Sequence, residues 1–227
     1  MTGATGNIYC GLHEYEDMAF VLHVLRPGDT FVDVGANIGS YTILATGVCG
    51  TRTIAIEPDP ETASHLQRNI DINGLGDLAT VVRTAVGDRA GEISFTVGQD
   101  TTNQVATSAD TEVQTVPLST LDIILKNEDP SVIKMDVEGF ETEALQGALS
   151  ALAKPSLFAI QLETIDEAAR MLLVDAGFAQ FFYEPSQRSI FQARRGDASN
   201  SLFIRQVPMV IDRLATTPDR HFYCKSI

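Results

Sequence analysis

Phe31-Val32-Asp33-Val34, followed by Gly35-Ala36-Asn37-Ile38-Gly39, reads as a short buried strand that turns sharply into a helix. The apolar run has strand length, and the glycines permit a turn in which the backbone can approach a ligand closely. Asp33 stands near the strand's carboxyl end, which is where open α/β sheets bind ligands. Ser40 to Val48 is the expected helix and Thr53 to Glu57 the next strand. Pro58 ends that strand, and Pro60 suits the first turn of a helix that Asn73-Gly74 stops. Glu57 thus falls at a second strand tip, about 20 residues beyond the glycine turn, where an acidic side chain can accept hydrogen bonds from ribose hydroxyls.

Working outward, the same alternation of strand and helix signals continues. Thr80-Val82 and Glu92-Val97 read as strands, the second half-exposed and able to start a hairpin addition. Gly98 to Glu112 is a polar excursion, read as a loose loop with a lid as the alternative. Ser119 can cap a helix through Lys126, Val132-Asp136 is a strand, and Phe140 to Leu152 has helical spacing. Leu157-Glu163 is a further strand, and Asp166 to Ala176 a helix ended by Gly177. Phe178-Tyr183 and Ser201-Arg205 follow as strands without a crossover helix between them, which predicts an antiparallel edge on an otherwise parallel, doubly wound α/β sheet. The expected division is an N-terminal arm or lid over 1–25, a ligand-binding domain over 26–206 and a tail over 207–227.

Composition narrows the function. The 227 residues carry 30 acidic and 16 basic side chains, a net charge of −14, which would repel a polyanion and argues against a nucleic-acid partner. Arg194-Arg195 is the one basic cluster, with a solvated loop as its ordinary reading and a phosphate anchor as the bolder one. Cys10, Cys49 and Cys224 are three scattered thiols that suggest neither a disulfide framework nor a zinc site. No stretch approaches the ~20 apolar residues of a membrane span, so a cytoplasmic protein with no membrane partner is expected. Oligomeric state is left open, a homo-oligomer included.

The glycine turn also says which adenosine ligand to expect. A dinucleotide fingerprint is G-x-G-x-x-G with pyrophosphate on the helix N-terminus, whereas this chain has G-x-x-x-G with Asp33 just before it. A carboxylate there would repel pyrophosphate yet suit the ammonium and sulfonium charges of S-adenosylmethionine. The competing reading of Asp33 is a turn cap. A nicotinamide-dependent oxidoreductase on a related fold and a noncatalytic adenosine-ligand binder are the alternative functions.

Pro27-Gly28-Asp29, the Phe31–Gly39 stretch, Glu57-Pro58, Asn69 to Asn73, Ala85-Val86-Gly87-Asp88 and Ile133-Lys134-Met135-Asp136-Val137-Glu138-Gly139-Phe140-Glu141 together resemble the FkbM-type methyltransferases, from about residue 10 to about residue 206. The resemblance implies a class I methyltransferase (Rossmann-like) fold, with a mostly parallel seven-stranded sheet, and S-adenosylmethionine bound over the first strand's tip. It implies O-methylation of a hydroxyl on a sugar, polyketide or other small metabolite, leaving S-adenosylhomocysteine. Asp33, Gly35, Ala36, Asn37 and Gly39 match the methionine-side motif, Glu57 with Pro58 the ribose-binding acid, and Ala85, Val86 and Asp88 the segment near the adenine. Tyr41, directly after the turn, could touch the methionine portion or simply pack.

Alternation puts Lys134 and Asp136 on one face of their strand, with Glu138 just beyond its end. An alcohol is a poor nucleophile until its proton is being removed, which calls for a base or a metal ion. Asp136, Glu138 and Glu163, at neighbouring strand tips, could form a carboxylate cluster for either role; as metal ligands Asp136 and Glu163 would favour Mg²⁺. The competing reading is a structural Lys134–Asp136 ion pair beside ordinary polar strand ends. His13, in the N-terminal arm, is a further candidate base.

Overall fold

The strand tip and glycine turn lie at the centre of an eight-stranded sheet whose strands, named by their first residues, run in the order Ser189, Ala179, Ser201, Ala159, Val132, Thr30, Arg52, Ala79. The computed structural model describes residues 12, 14–96, 105, 113–192, 201–219, 221–222 and 225–226. The parallel centre is β1 (Thr30–Val34), β2 (Arg52–Ile56), β3 (Ala79–Val82), β7 (Val132–Met135) and β8 (Ala159–Leu162). From β1 the chain first winds one way, to β2 and β3, and then returns to the other side of β1 for β7 and β8. That reversal between β1 and β7 is the topological switch point at which such sheets bind ligands.

At the edge, β11 (Ser201–Ile204) runs antiparallel to both β8 and β9 (Ala179–Glu184), and β10 (Ser189–Gln192) runs antiparallel to β9. The expected antiparallel edge is present, with β10 as an eighth strand beyond the seven expected. The hairpin addition forms its own sheet: β5 (Gly91–Thr96) pairs antiparallel with β6 (Val113–Ser119), and β6 pairs parallel with the two-residue β4 (Ala85–Val86). Phe95, Val116 and Leu118 bury the face between them.

Helices cover both faces. On one lie α1 (Tyr15–Val24), α2 (Ser40–Ile43, continued by a π-helical turn over Leu44–Val48), α3 (Pro60–Ile72) and α8 (Val207–Thr216). On the other lie α4 (Leu121–Ile124), α5 (Glu141–Gln146), α6 (Leu149–Leu152) and α7 (Glu167–Asp175). Period-two alternation divides β1 between them: Phe31 packs with the first layer, Val32 and Val34 with the second.

Local chemistry explains most boundaries. Asp59 caps α3 by accepting from the Thr62 amide at 2.8 Å, with Pro60 in the first turn. Asp166 caps α7 through the Ala169 amide at 2.7 Å. Thr120, not Ser119, caps α4, accepting from the Ile123 amide at 3.2 Å, and that helix stops at Ile124. The helix expected over 140–152 is broken into α5 and α6. Gly147, at the break, lies so close to Gly87 that a Cβ there would sit 2.0 Å from the Gly87 carbonyl oxygen.

The described part of the expected arm carries α1. Its Met18, Ala19, Phe20, Val21, Leu22 and Val24 are fully buried, and each large side chain among them contributes about 1.5–3 kcal/mol of hydrophobic stabilisation. Among the described residues no helix is long and apolar enough to cross a membrane. The tail forms α8 and a pair of two-residue strands, β12 (His221–Phe222) and β13 (Lys225–Ser226).

Candidate functional site

A cleft of about 670 Å³, counted with its open mouth, lies over the tips of β1, β2, β4 and β7. Gly35 forms its floor. The Gly35 and Ala36 amides both donate to the Ile56 carbonyl at 3.0 Å, and the Asp136 amide donates to the Val34 carbonyl at 3.0 Å, so three strand tips are drawn together. Gly35 has φ +74°, and a Cβ there would fall 1.8 Å from the Asp136 carbonyl oxygen; only glycine fits. Asn37 also adopts positive φ (+50°), and its side-chain oxygen accepts from the Ile38 amide at 2.7 Å.

Glu57 lines the cleft. One carboxylate oxygen accepts from the Asn37 amide and the other from the Asp59 amide, both at 2.9 Å, which fixes the side chain while leaving acceptor capacity on each oxygen. Burial pushes its pKa up to about 7 against the pull of those two amides. Pro58, Ala85 and Val86 line the same cleft, as do Gly35 and Asn37. So do Val137 and Phe140 of the 133–141 stretch, and groups that sequence reasoning did not single out: Thr62, Thr84, Phe95 and Val105. Phe95 and Val105 come from the hairpin region, and no short-range signal ties them to β1.

Asp33 lies elsewhere. Being one residue out of phase with Val34, it points to the α1–α2 face, is 1% exposed, and accepts from the Thr42 hydroxyl at 2.6 Å. Burial raises its pKa, while Lys134 and Thr42 pull the other way. Ala36, Gly39 and Tyr41 are likewise outside the lining; Gly39, at φ +98°, opens α2 and passes close to Leu66. Asp88 sits beyond β4 in a turn and pairs with Arg89 at 3.0 Å, away from the cleft, because the chain turns outward into the hairpin after Val86.

On the far side of Gly35, Lys134 donates to Asp136 Oδ2 at 2.6 Å and lies 4.8 Å over the Tyr41 ring. The Tyr41 hydroxyl donates to Glu14 at 2.5 Å, and burial followed by Glu14 drives the phenol pKa upward. Burial disfavours the Lys134 charge, yet Asp136, Asp33 and Glu14 outweigh it and raise its pKa. Asp136 and Glu138 line the cleft, and with Glu163 they bring carboxylate oxygens within 4.8 Å of one another. The hydrogen bond with Asp136, then burial, pushes Glu163 up to about 8. Burial, then Asp136 and Glu141, raises Glu138. Glu138 also holds φ +52°, a strained backbone of the kind that concentrates at functional sites. His13 and Arg194-Arg195 lie outside the described residues.

The family model described as the methyltransferase FkbM domain matches residues 33–179, well over half of the chain. Hexuronic acid methyltransferase AglP of Haloferax volcanii is 28% identical over 154 residues, 66% of this chain and 62% of that protein. A solved methyltransferase FkbM from Methylobacillus flagellatus KT superposes with a TM-score of 0.53 at 19% identity, over 80% of this chain and 48% of that one. A putative rRNA-methylase from Clostridium thermocellum gives 0.50 at 9% identity, over 84% and 93%. The matches thus span 62% of the curated relative's length and about half of the first solved chain, and at such identities the structures speak for the fold alone. The sheet order, the glycine turn at the switch point and the family match together place this chain in the FkbM methyltransferase domain family.

Proposed function

We propose that the protein is an S-adenosylmethionine-dependent methyltransferase acting on a hydroxyl of a sugar or other small metabolite. The observation that carries this reading is Glu57, locked by two amides at the wall of a cleft whose floor is a glycine turn. The donor set fits the cofactor: Glu57 would hold the ribose hydroxyls, Thr84 to Val86 with Phe140 would take the adenine, and the Gly35–Asn37 turn would face the methionine portion. The cofactor supplies an electrophilic methyl group when bound.

The chain's own part is to place the acceptor and take its proton. Asp136, at the β7 tip and in the cleft, is the proton acceptor; Lys134 pins its carboxylate from behind at 2.6 Å, and Glu163 shares the proton on the neighbouring tip. Asp33 acts at one remove, through Lys134. The three carboxylates are oxygen donors of the type that suits Mg²⁺, but an ammonium already bonds Asp136, so the reading assigns the cluster to proton transfer rather than to an ion. Positioning and general-base work of this sort contribute on the order of 10²–10⁴-fold in rate.

The test is a comparison of thermal midpoints with S-adenosylhomocysteine and with NAD, followed by transfer of a labelled methyl group. Stabilisation by S-adenosylhomocysteine alone, and label appearing on a hydroxyl, are expected; stabilisation by NAD alone would transfer the assignment to an oxidoreductase.

A further inference from the structure

The acceptor side of the cleft is built from carboxylates. Asp136, Glu138 and Glu163 converge within 4.8 Å, and the basic group against them, Lys134, is already shared among Asp136, Asp33 and Glu14. No Lys or Arg occurs among the described residues that line the cleft. A second cavity, at the antiparallel edge, repeats the pattern: Glu16, Asp17 and Glu184 line it together with Phe182 and Phe191, again with no basic side chain among the described lining. Gln161 lies on β8, beside the strand that carries Lys134. It is the register partner of Lys134, donates to Asp17 Oδ1 at 3.1 Å, and is 3% exposed. Its side-chain oxygen has no donor among the described residues.

Carboxylates accept hydrogen bonds from hydroxyl and ammonium groups, and aromatic faces attract cations. An anionic group in the same place would meet like charges, with the nearby Lys134 ammonium already engaged by Asp136, a juxtaposition that interfaces use to reject wrong partners. We propose that the acceptor is a hydroxylated molecule that is uncharged or carries an ammonium group, and that Asp136 and Glu138, joined by Glu163 once it ionises, exclude acceptors bearing a carboxylate or phosphate beside the reacting hydroxyl. The proposal rests on the methyltransferase reading and sets this chain apart from what the name of the hexuronic acid methyltransferase says of that relative's acceptor.

The experiment offers methyl-labelled S-adenosylmethionine and the intact chain to a small-molecule extract of the source cells, separated beforehand by ion exchange into anionic, neutral and cationic pools. Label is expected in the neutral or cationic pool, at about tenfold or more over the anionic pool. The doubly reversed variant E138K/E163K is expected to shift residual labelling toward the anionic pool. Equal or greater labelling of the anionic pool by the unaltered chain overturns the charge rule and leaves methyl transfer standing. No label in any pool, from protein that binds S-adenosylhomocysteine by calorimetry, overturns the methyltransferase reading beneath it.

Discussion

Glu57→Gln tests the cofactor site most directly, because the side chain is held on both sides before any ligand arrives. In the native chain each carboxylate oxygen takes one backbone amide, from Asn37 and from Asp59, and the side chain lines the cleft with acceptor capacity to spare. The carboxamide keeps one accepting oxygen, so one amide loses its partner and the ribose loses a charged acceptor. A hydrogen bond to a charged group is worth about 1.5–3 kcal/mol, which is roughly a 10- to 150-fold rise in the dissociation constant for S-adenosylhomocysteine. pH supplies a second, independent signature. Burial raises Glu57 to about 7 from 4.5, so the fold favours the protonated form. The contribution of this group to stability is therefore full below pH 4.5 and is lost as pH rises through 7, a swing of about 3 kcal/mol. Ribose hydroxyls donate best to the ionised form, and cofactor affinity should rise between pH 6 and pH 8 in the native chain and stay flat in the variant. Calorimetry at three pH values reads both effects. Unchanged affinity in Glu57→Gln, or a pH dependence that survives the substitution, would refute the assignment of this residue to the ribose.

Four further outcomes are expected. Asp136→Asn should lower kcat by about 10²–10⁴-fold while S-adenosylhomocysteine binds as before; normal turnover would remove Asp136 from the chemistry. Gly35→Ala forces a Cβ to 1.8 Å from the Asp136 carbonyl oxygen at φ +74° and should cost about 2–4 kcal/mol, a drop in thermal midpoint of about 4–16 °C that calorimetric melting would detect. Because Glu163 is raised to about 8 by its hydrogen bond with Asp136 and by burial, turnover should climb to a plateau above pH 8 and lose that inflection in Glu163→Gln. The same upward shift means that the proton on Glu163 favours the fold below pH 4.5, and that this contribution fades as pH rises through 8. Dialysis against EDTA should leave turnover within about twofold, since Lys134 already supplies the cation at Asp136; loss of activity that Mg²⁺ restores would reinstate a metal.

The parts of the fold legible in the sequence were those fixed by local chemistry. Gly35 and Gly39 mark the turn, Pro60 and Asp59 start α3, and Gly177 follows α7; each acts within a few residues, so spacing alone reveals it. The break at Gly147 was hidden because its cause, the backbone of Gly87, is 60 residues away. The short edge strand β10 was missed because Ser189 and Gln192 dilute its two apolar residues and Pro185 precedes it. In α1, Met18 to Leu22 are buried all round, so the segment lacks the one-sided stripe that announces a surface helix.

The same reasoning explains why one of the two carboxylates expected at the cofactor lines the cleft and the other does not. Strands in the parallel centre are buried on both faces, and their residues read as continuous apolar runs. Phe31 and Val32 are equally apolar, so nothing in β1 says which face meets the cleft, and a residue at the tip can belong to either. Glu57 escapes the ambiguity because it lies just past the end of β2, where the chain leaves the sheet and its amide still bonds to Val82. Asp33 is still inside β1, and pleat alternation commits it to the side of Thr42 and Lys134. It acts on the cleft carboxylates Asp136 and Glu57 through space and also through the Lys134 ammonium that it shares with Asp136, which makes the charge of one buried lysine a link between the glycine-turn motif and the carboxylates at the β7 tip.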